Sequence, residues 1–198
     1  EEVTRLRNWF RRTASHNTLT LDNRNLENRQ SVTRKWQPEG DVQCLVTENE
    51  SYEGLTHRRT FFFVDGTYFV IVDEASGDAA GTVNLHYALC DGKVVVDKEH
   101  SLLLSDFEGD VQVKLQCFVP EQTEMKEEEG WYSIAYRQRT ERTAVSWNTP
   151  KQSGKPVRYI TVIYPYLRPA EAPVIEARFA DGNIVEITID GKTQTLKP

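Results

Sequence analysis

From Val42 onward the apolar positions recur at every second residue. Val111, Val113, Leu115 and Cys117 alternate with Gln112, Lys114 and Gln116, and Val185, Ile187 and Ile189 alternate with Glu186, Thr188 and Asp190. A period of two predicts strands that turn one face to a core and the other to water. Residues 157–164, Val-Arg-Tyr-Ile-Thr-Val-Ile-Tyr, carry apolar side chains on both parities, which predicts a strand more buried on both faces. Asp-Gly tolerates the positive φ of tight turns, so each such dipeptide predicts a hairpin. There are four, at Asp65-Gly66, Asp91-Gly92, Asp181-Gly182 and Asp190-Gly191. Residues 23–40 are polar, end in Pro38-Glu39-Gly40, and read as an irregular connection. Glu121 to Gly130 holds five glutamates and one core candidate, Met125, and reads as a solvated acidic loop. No amphipathic pattern extends beyond about three helical turns. The expectation is an all-β fold: a hairpin-rich, two-sheet antiparallel β-sandwich of about a dozen strands, forming a single domain over residues 1–198.

Composition alters this picture little. A charged fraction of 27 % and a hydrophobic fraction of 38 % are ordinary for a globular domain, and no apolar run reaches the roughly 20 residues of a membrane helix. The chain opens on Glu-Glu-Val-Thr, without methionine or an apolar leader, and so reads as cut from something larger. Cys44, Cys90 and Cys117 form no Cys-x-x-Cys pair, lie in apolar or alternating runs, and read as buried free thiols.

Charge is distributed unevenly. Residues 1–35 carry eight lysines and arginines against four acids, +4 within a net −6, which leaves −10 for the remainder. That asymmetry suits an anionic partner at the N-terminal end, or else arginines that pair with the acidic bulk. An acidic bulk argues against nucleic acid.

The densest chemistry lies between Asn8 and Asn25. His16, flanked by Ser15 and Asn17 and preceded by Arg11 and Arg12, places an imidazole that titrates near neutral pH beside cationic groups suited to carboxylate or sulfate. Acid-base chemistry on an acidic sugar would use these groups, although a structural histidine fits the same pattern. His57, His86 and His100 read as hydrogen-bonded strand or loop residues. Neither a Gly-x-Ser-x-Gly motif, a phosphate-cradling loop nor a His-Glu-x-x-His motif occurs. The set His16, Asp22, His57, Asp73 and His86 lacks the spacing of a zinc site. A non-catalytic carbohydrate-binding or structural sandwich, with Trp9, Trp36, Trp131 and Trp147 as a stacking platform, is the rival reading.

The run Trp9-Phe10-Arg11-Arg12-Thr13-Ala14-Ser15-His16-Asn17-Thr18-Leu19-Thr20-Leu21-Asp22 resembles the start of the C-terminal domain of heparinase II/III-like polysaccharide lyases, most closely the heparan sulfate lyases of polysaccharide lyase family 12. The run from His57 to Glu74 is similar to a pair of strands in the same family. The resemblance implies an N-terminal α/α toroid joined to a C-terminal antiparallel sandwich, with the cleft between them and only the sandwich represented here. It implies β-elimination at a uronic acid. By similarity His16 is the catalytic histidine that the sandwich contributes, and Arg11, Arg12 and Asn17 meet the substrate, an anionic polysaccharide such as heparan sulfate. The isolated sandwich should be inactive. Neighbouring families hold zinc through His-x-His, but here the segment is His16-Asn17-Thr18, so no cofactor is expected and a structural divalent metal is disfavoured. The family implies a periplasmic or secreted protein; the short apolar runs and the acidic bulk predict no membrane span and no nucleic-acid partner.

Overall fold

In chain order, the computed structural model, which describes residues 2–198, has a helix α1 (Glu2–Arg11) and then seventeen strands. These are β1 (Leu19–Leu21), β2 (Val32–Gln37), β3 (Val42–Tyr52), β4 (Leu55–Val64), β5 (Tyr68–Ser76), β6 (Gly81–Ala88), β7 (Lys93–Asp97), β8 (Leu102–Asp106) and β9 (Val111–Phe118). They continue as β10 (Glu124–Glu128), β11 (Trp131–Tyr132), β12 (Thr140–Glu141), β13 (Ala144–Lys151), β14 (Val157–Leu167), β15 (Ile175–Asp181), β16 (Ile184–Ile189) and β17 (Lys192–Leu196).

Two large antiparallel sheets make the sandwich. One has eight strands in the order β2-β3-β4-β5-β14-β9-β8-β7 and the other four in the order β1-β6-β13-β10. Between them lies a core that includes Leu19, Leu21, Leu85, Trp147, Leu115 and Tyr159. A three-stranded sheet, β15-β16-β17, packs on the opposite face of the eight-stranded sheet and encloses a second core with Phe62, Val70, Val72, Ile160, Val162, Ile187 and Leu196. The double burial of β14 follows. Val157 and Tyr159 face the first core, Ile160 and Val162 face the second, and period two serves both at once.

Three Asp-Gly hairpins form as expected, joining β4 to β5, β15 to β16 and β16 to β17. Asp91-Gly92 does not form one. β6 pairs with β1 and β13 in the smaller sheet, whereas β7 pairs with β8 in the larger, so this turn carries the chain between layers. Residues 23–40 are not wholly irregular, because β2 pairs along β3 as an edge strand. Its side chains are all exposed except the half-buried Lys35, so no buried alternation marks it; charged edges of this kind also discourage pairing with other chains. The acidic stretch likewise contains a strand, β10, pinned to β13 with only Met125 fully in the core. Cys44 and Cys117 are buried free thiols, but Cys90 is exposed beyond the end of β6. In β9 the polar Gln112 and Lys114 are buried and Val111 is exposed. Gln112 is bonded to Ser105 and to the Phe107 backbone, and Lys114 donates to the Pro173 carbonyl at 2.8 Å. The β8–β9 turn covers Gln112 and the segment leading into β15 covers Lys114, so each buried polar side chain finds partners.

Candidate functional site

The site begins at α1. Its sequence places Val3, Leu6 and Phe10 along one stripe and Arg5 and Asn8 along another, with Trp9 buried between them and the sandwich. Glu2 in the first turn and Arg11 in the last complement the helix dipole. The helix stops where Arg12 adopts an extended conformation, and Thr13–Ser15 makes one tight turn. That turn is tied to the chain that follows it. The Thr13 N–H donates to Asn25 Oδ1, the Leu26 N–H donates to Thr13 Oγ1, each at 2.9 Å, and the Ser15 hydroxyl donates to the Trp9 carbonyl at 2.6 Å.

His16 follows directly and its side chain is exposed, as are those of Arg11, Arg12 and Asn17. Arg12 lies over the Trp9 ring, 5.4 Å from its centroid. Arg5, Asn8, Arg11 and Arg12, with Trp9, Asn25 and Glu129, line a polar groove of about 630 Å³. His16 stands at the side of that groove, above a pinched cavity of about 10 Å³ that also touches Trp9 and Glu129, and has His86, Glu128 and Arg142 in its walls. That space takes no more than one water, so any larger ligand of His16 must lie outside it. The structure thus brings His16, Arg11 and Arg12 to one end of the sandwich. Asn17 is committed differently: its amide bonds both backbone groups of Ala88.

Two histidine-carboxylate pairs lie behind His16, one with a buried and one with a half-buried carboxylate. His86 shares a 2.8 Å hydrogen bond with Glu128 and a 2.9 Å one with Thr20 Oγ1. Burial pushes the Glu128 carboxyl up, but the hydrogen bond and charge of His86, with smaller help from Ser146 and Arg12, hold it below the usual carboxylate range. His57 shares a 2.6 Å hydrogen bond with Asp73, which also accepts from Arg59 Nε at 2.7 Å and from Arg59 Nη2 at 3.1 Å. Burial acts to raise Asp73, yet the Arg59 charge and the bonds from His57 and Arg59 outweigh it and bring the carboxyl down to about 2.

Among the described residues no group of three His, Cys, Asp or Glu side chains is placed to hold a metal ion. The five zinc candidates show why they do not fit. His57 and Asp73 are bonded to each other and Asp73 already faces a guanidinium, His86 is bonded to Glu128 and Thr20, and Asp22 accepts from the Thr82 N–H. The tryptophans are dispersed. Trp147 is 0 % exposed in the core and Trp9 is buried, Trp36 lies on the β2 edge, and Trp131 is covered by Arg139 at 4.3 Å.

Residues 2–177 match the family described as heparinase II/III-like, C-terminal. The chain belongs to this family. The heparinase II/III-like chain is 50 % identical to the heparin-sulfate lyase of Bacteroides stercoris over 98 % of its own length, and 32 % identical to that of Pedobacter heparinus over 99 %. Among solved structures it matches a heparinase III at TM-score 0.95 with 51 % identity over 99 % of this chain and 32 % of that one. It matches the heparan sulfate lyase of Pedobacter heparinus at TM-score 0.91 with 31 % identity, over 99 % of this chain and 32 % of that one. The chain spans 30 % and 31 % of the two lyase sequences, less than a third of each.

Several residues of this heparinase II/III-like site escaped the sequence reading. Arg5 and Asn8 needed the helix, which puts both on one face, toward the groove that Arg12 also lines. Arg142, which donates to the Ser15 carbonyl at 3.3 Å, comes from 127 residues away and no local signal announces it. Glu128 was hidden within an acidic run, and the pairing of Arg59 with Asp73, weighed in the sequence only as a metal ligand, required the register of β4 against β5.

Proposed function

We propose that this chain is the C-terminal sandwich of a heparan sulfate lyase and that it supplies His16 to a cleft completed by an N-terminal α/α toroid. The observation that carries this reading is an exposed imidazole on a firmly bonded backbone, beside a groove lined by Arg5, Arg11 and Arg12. The lyases named above, similar over nearly all of this chain, support it.

In β-elimination at a uronic acid, the carboxylate is neutralised, a base removes the C5 proton, and an acid protonates the departing glycosidic oxygen. His16 is placed to act as base or as a partner facing the carboxylate. The groove arginines meet sulfate or carboxylate with forked, charge-assisted hydrogen bonds. The remaining acid, base and neutralising groups come from the toroid, so the sandwich alone is inactive. The parent protein works in the periplasm or outside the cell, where its polysaccharide is met.

The test is the rate of unsaturated-uronate formation from heparan sulfate by the full-length parent, wild type against His16→Ala, both shown to be folded. A loss of about a hundredfold or more places His16 in the chemical step. A near-normal rate makes this domain a scaffold.

A further inference from the structure

The segment around His16 is held by four hydrogen bonds, three to backbone carbonyls and one to the Asn17 side chain. Arg142 donates to the Ser15 carbonyl at 3.3 Å, the Ala88 N–H to Asn17 Oδ1 at 2.9 Å, the His86 N–H to the Thr18 carbonyl at 2.9 Å, and Arg59 Nη1 to the Asn17 carbonyl at 2.7 Å. The last of these is built differently. Its donor is a guanidinium whose other two nitrogens grip both oxygens of Asp73, and Asp73 is 0 % exposed and also bonded at Oδ1 by His57.

We propose that Asp73 and Arg59 form a positioning clamp for His16, a buried ion pair on β4 and β5 whose one free arm fixes the carbonyl next to the histidine. The inference rests on the lyase reading of His16. Three features support it. A buried ion pair offsets its own desolvation only in part and adds little net stability, so stability alone gives weak reason for one here. The planar fork of arginine can hold a carboxylate with two nitrogens and aim the third in a fixed direction, which lysine cannot do. Displacing a catalytic group by about 1 Å costs on the order of a hundredfold in rate, so an imidazole at the surface of a tight turn gains from a rigid neighbour. His57 completes the arrangement with a second bond to Asp73 Oδ1, the oxygen that also accepts from Arg59 Nε.

The experiment uses the full-length parent with Arg59→Met and Arg59→Lys, with His16→Ala as the reference, at a temperature well below the melting point of every variant. Two quantities are read: kcat and KM for heparan sulfate, and amide hydrogen exchange of peptides covering residues 13–18 and β13. A clamp predicts that Arg59→Met lowers kcat at least tenfold with KM within twofold. It also predicts at least tenfold faster exchange in residues 13–18, unchanged exchange in β13, and partial recovery of both quantities in Arg59→Lys. Should Arg59→Met fail to fold, Arg59→Lys carries the test, with a smaller drop in kcat and a smaller rise in exchange, again confined to residues 13–18. Unchanged exchange in residues 13–18, or faster exchange with wild-type kcat while His16→Ala is inactive, overturns the clamp alone. A wild-type rate in His16→Ala overturns the lyase role of His16, and the catalytic purpose of the clamp with it.

Discussion

Asn17 is joined to Ala88 through both backbone groups of that residue: the Ala88 N–H donates to the amide oxygen at 2.9 Å, and the amide nitrogen donates to the Ala88 carbonyl at 3.4 Å. An asparagine side chain here imitates a strand residue, extending β1 by one rung along β6. Asn17→Ala should cost about 1 kcal/mol and lower the melting temperature by about 2–4 °C, with KM for heparan sulfate changed less than twofold. Calorimetry and steady-state kinetics on the full-length protein check this. A raised KM at unchanged melting temperature would instead assign Asn17 to substrate.

Asp73 makes part of the stability dependent on acid. Its carboxyl titrates at about 2 in the folded protein against roughly 3.9 in an unfolded chain, and the groups facing it are Arg59 and His57. A depressed folded pKa stabilises the protein above the unfolded value, and this contribution, on the order of 2–3 kcal/mol, is lost as pH falls from about 4 to about 2. Urea unfolding between pH 5 and pH 2 should show this slope in the wild type and a shallower one in Asp73→Asn. Equal slopes would mean that Asp73 is not held ionised.

The groove arginines should act on binding rather than on turnover. Alanine at both Arg5 and Arg12 is expected to raise KM for heparan sulfate about tenfold at 0.05 M salt and about twofold at 0.5 M, with kcat nearly constant, because exposed charges are screened. A collapse of kcat at constant KM would place these groups in the chemistry.

Trp147 anchors the first core, fully buried and edge-on to Tyr87 at 6.0 Å. Trp147→Ala should cost about 3–5 kcal/mol, measured by urea unfolding, and sugar affinity should change only as far as the folded fraction does. A selective loss of polysaccharide binding by fully folded protein would revive a stacking role.

The strands were legible in the sequence wherever an alternating apolar pattern met a turn signal, and less so elsewhere. β2 and β10 carry too few buried residues to show a pattern, and α1 is a single amphipathic segment of ten residues. At Asp91-Gly92 the residues say that the chain turns but not which sheet receives it. For the site, His16 and the two arginines stand out because they are adjacent in sequence. The Arg59–Asp73 contact does not, for a geometric reason. A two-residue Asp65-Gly66 turn would set Val64 against Thr67 and Arg59 against Val72. The observed turn includes Thr67, pairs Val64 with Tyr68, and so brings Arg59 opposite Asp73. A slip of one residue exchanges a salt bridge for a valine.

The position of β14 has a consequence for how the molecule is made. This strand begins at residue 157, fills the gap between β5 and β9, and supplies side chains to both cores. As the chain emerges from the ribosome, β3, β4 and β5 can pair with one another, but their sheet stays split and open on both faces until more than three-quarters of the chain has appeared. Loop closure over such separations is slow and leaves unpaired edges exposed meanwhile. Truncation from the C-terminal side should therefore be far more damaging than its length suggests, since removing β14 onward dismantles two cores together.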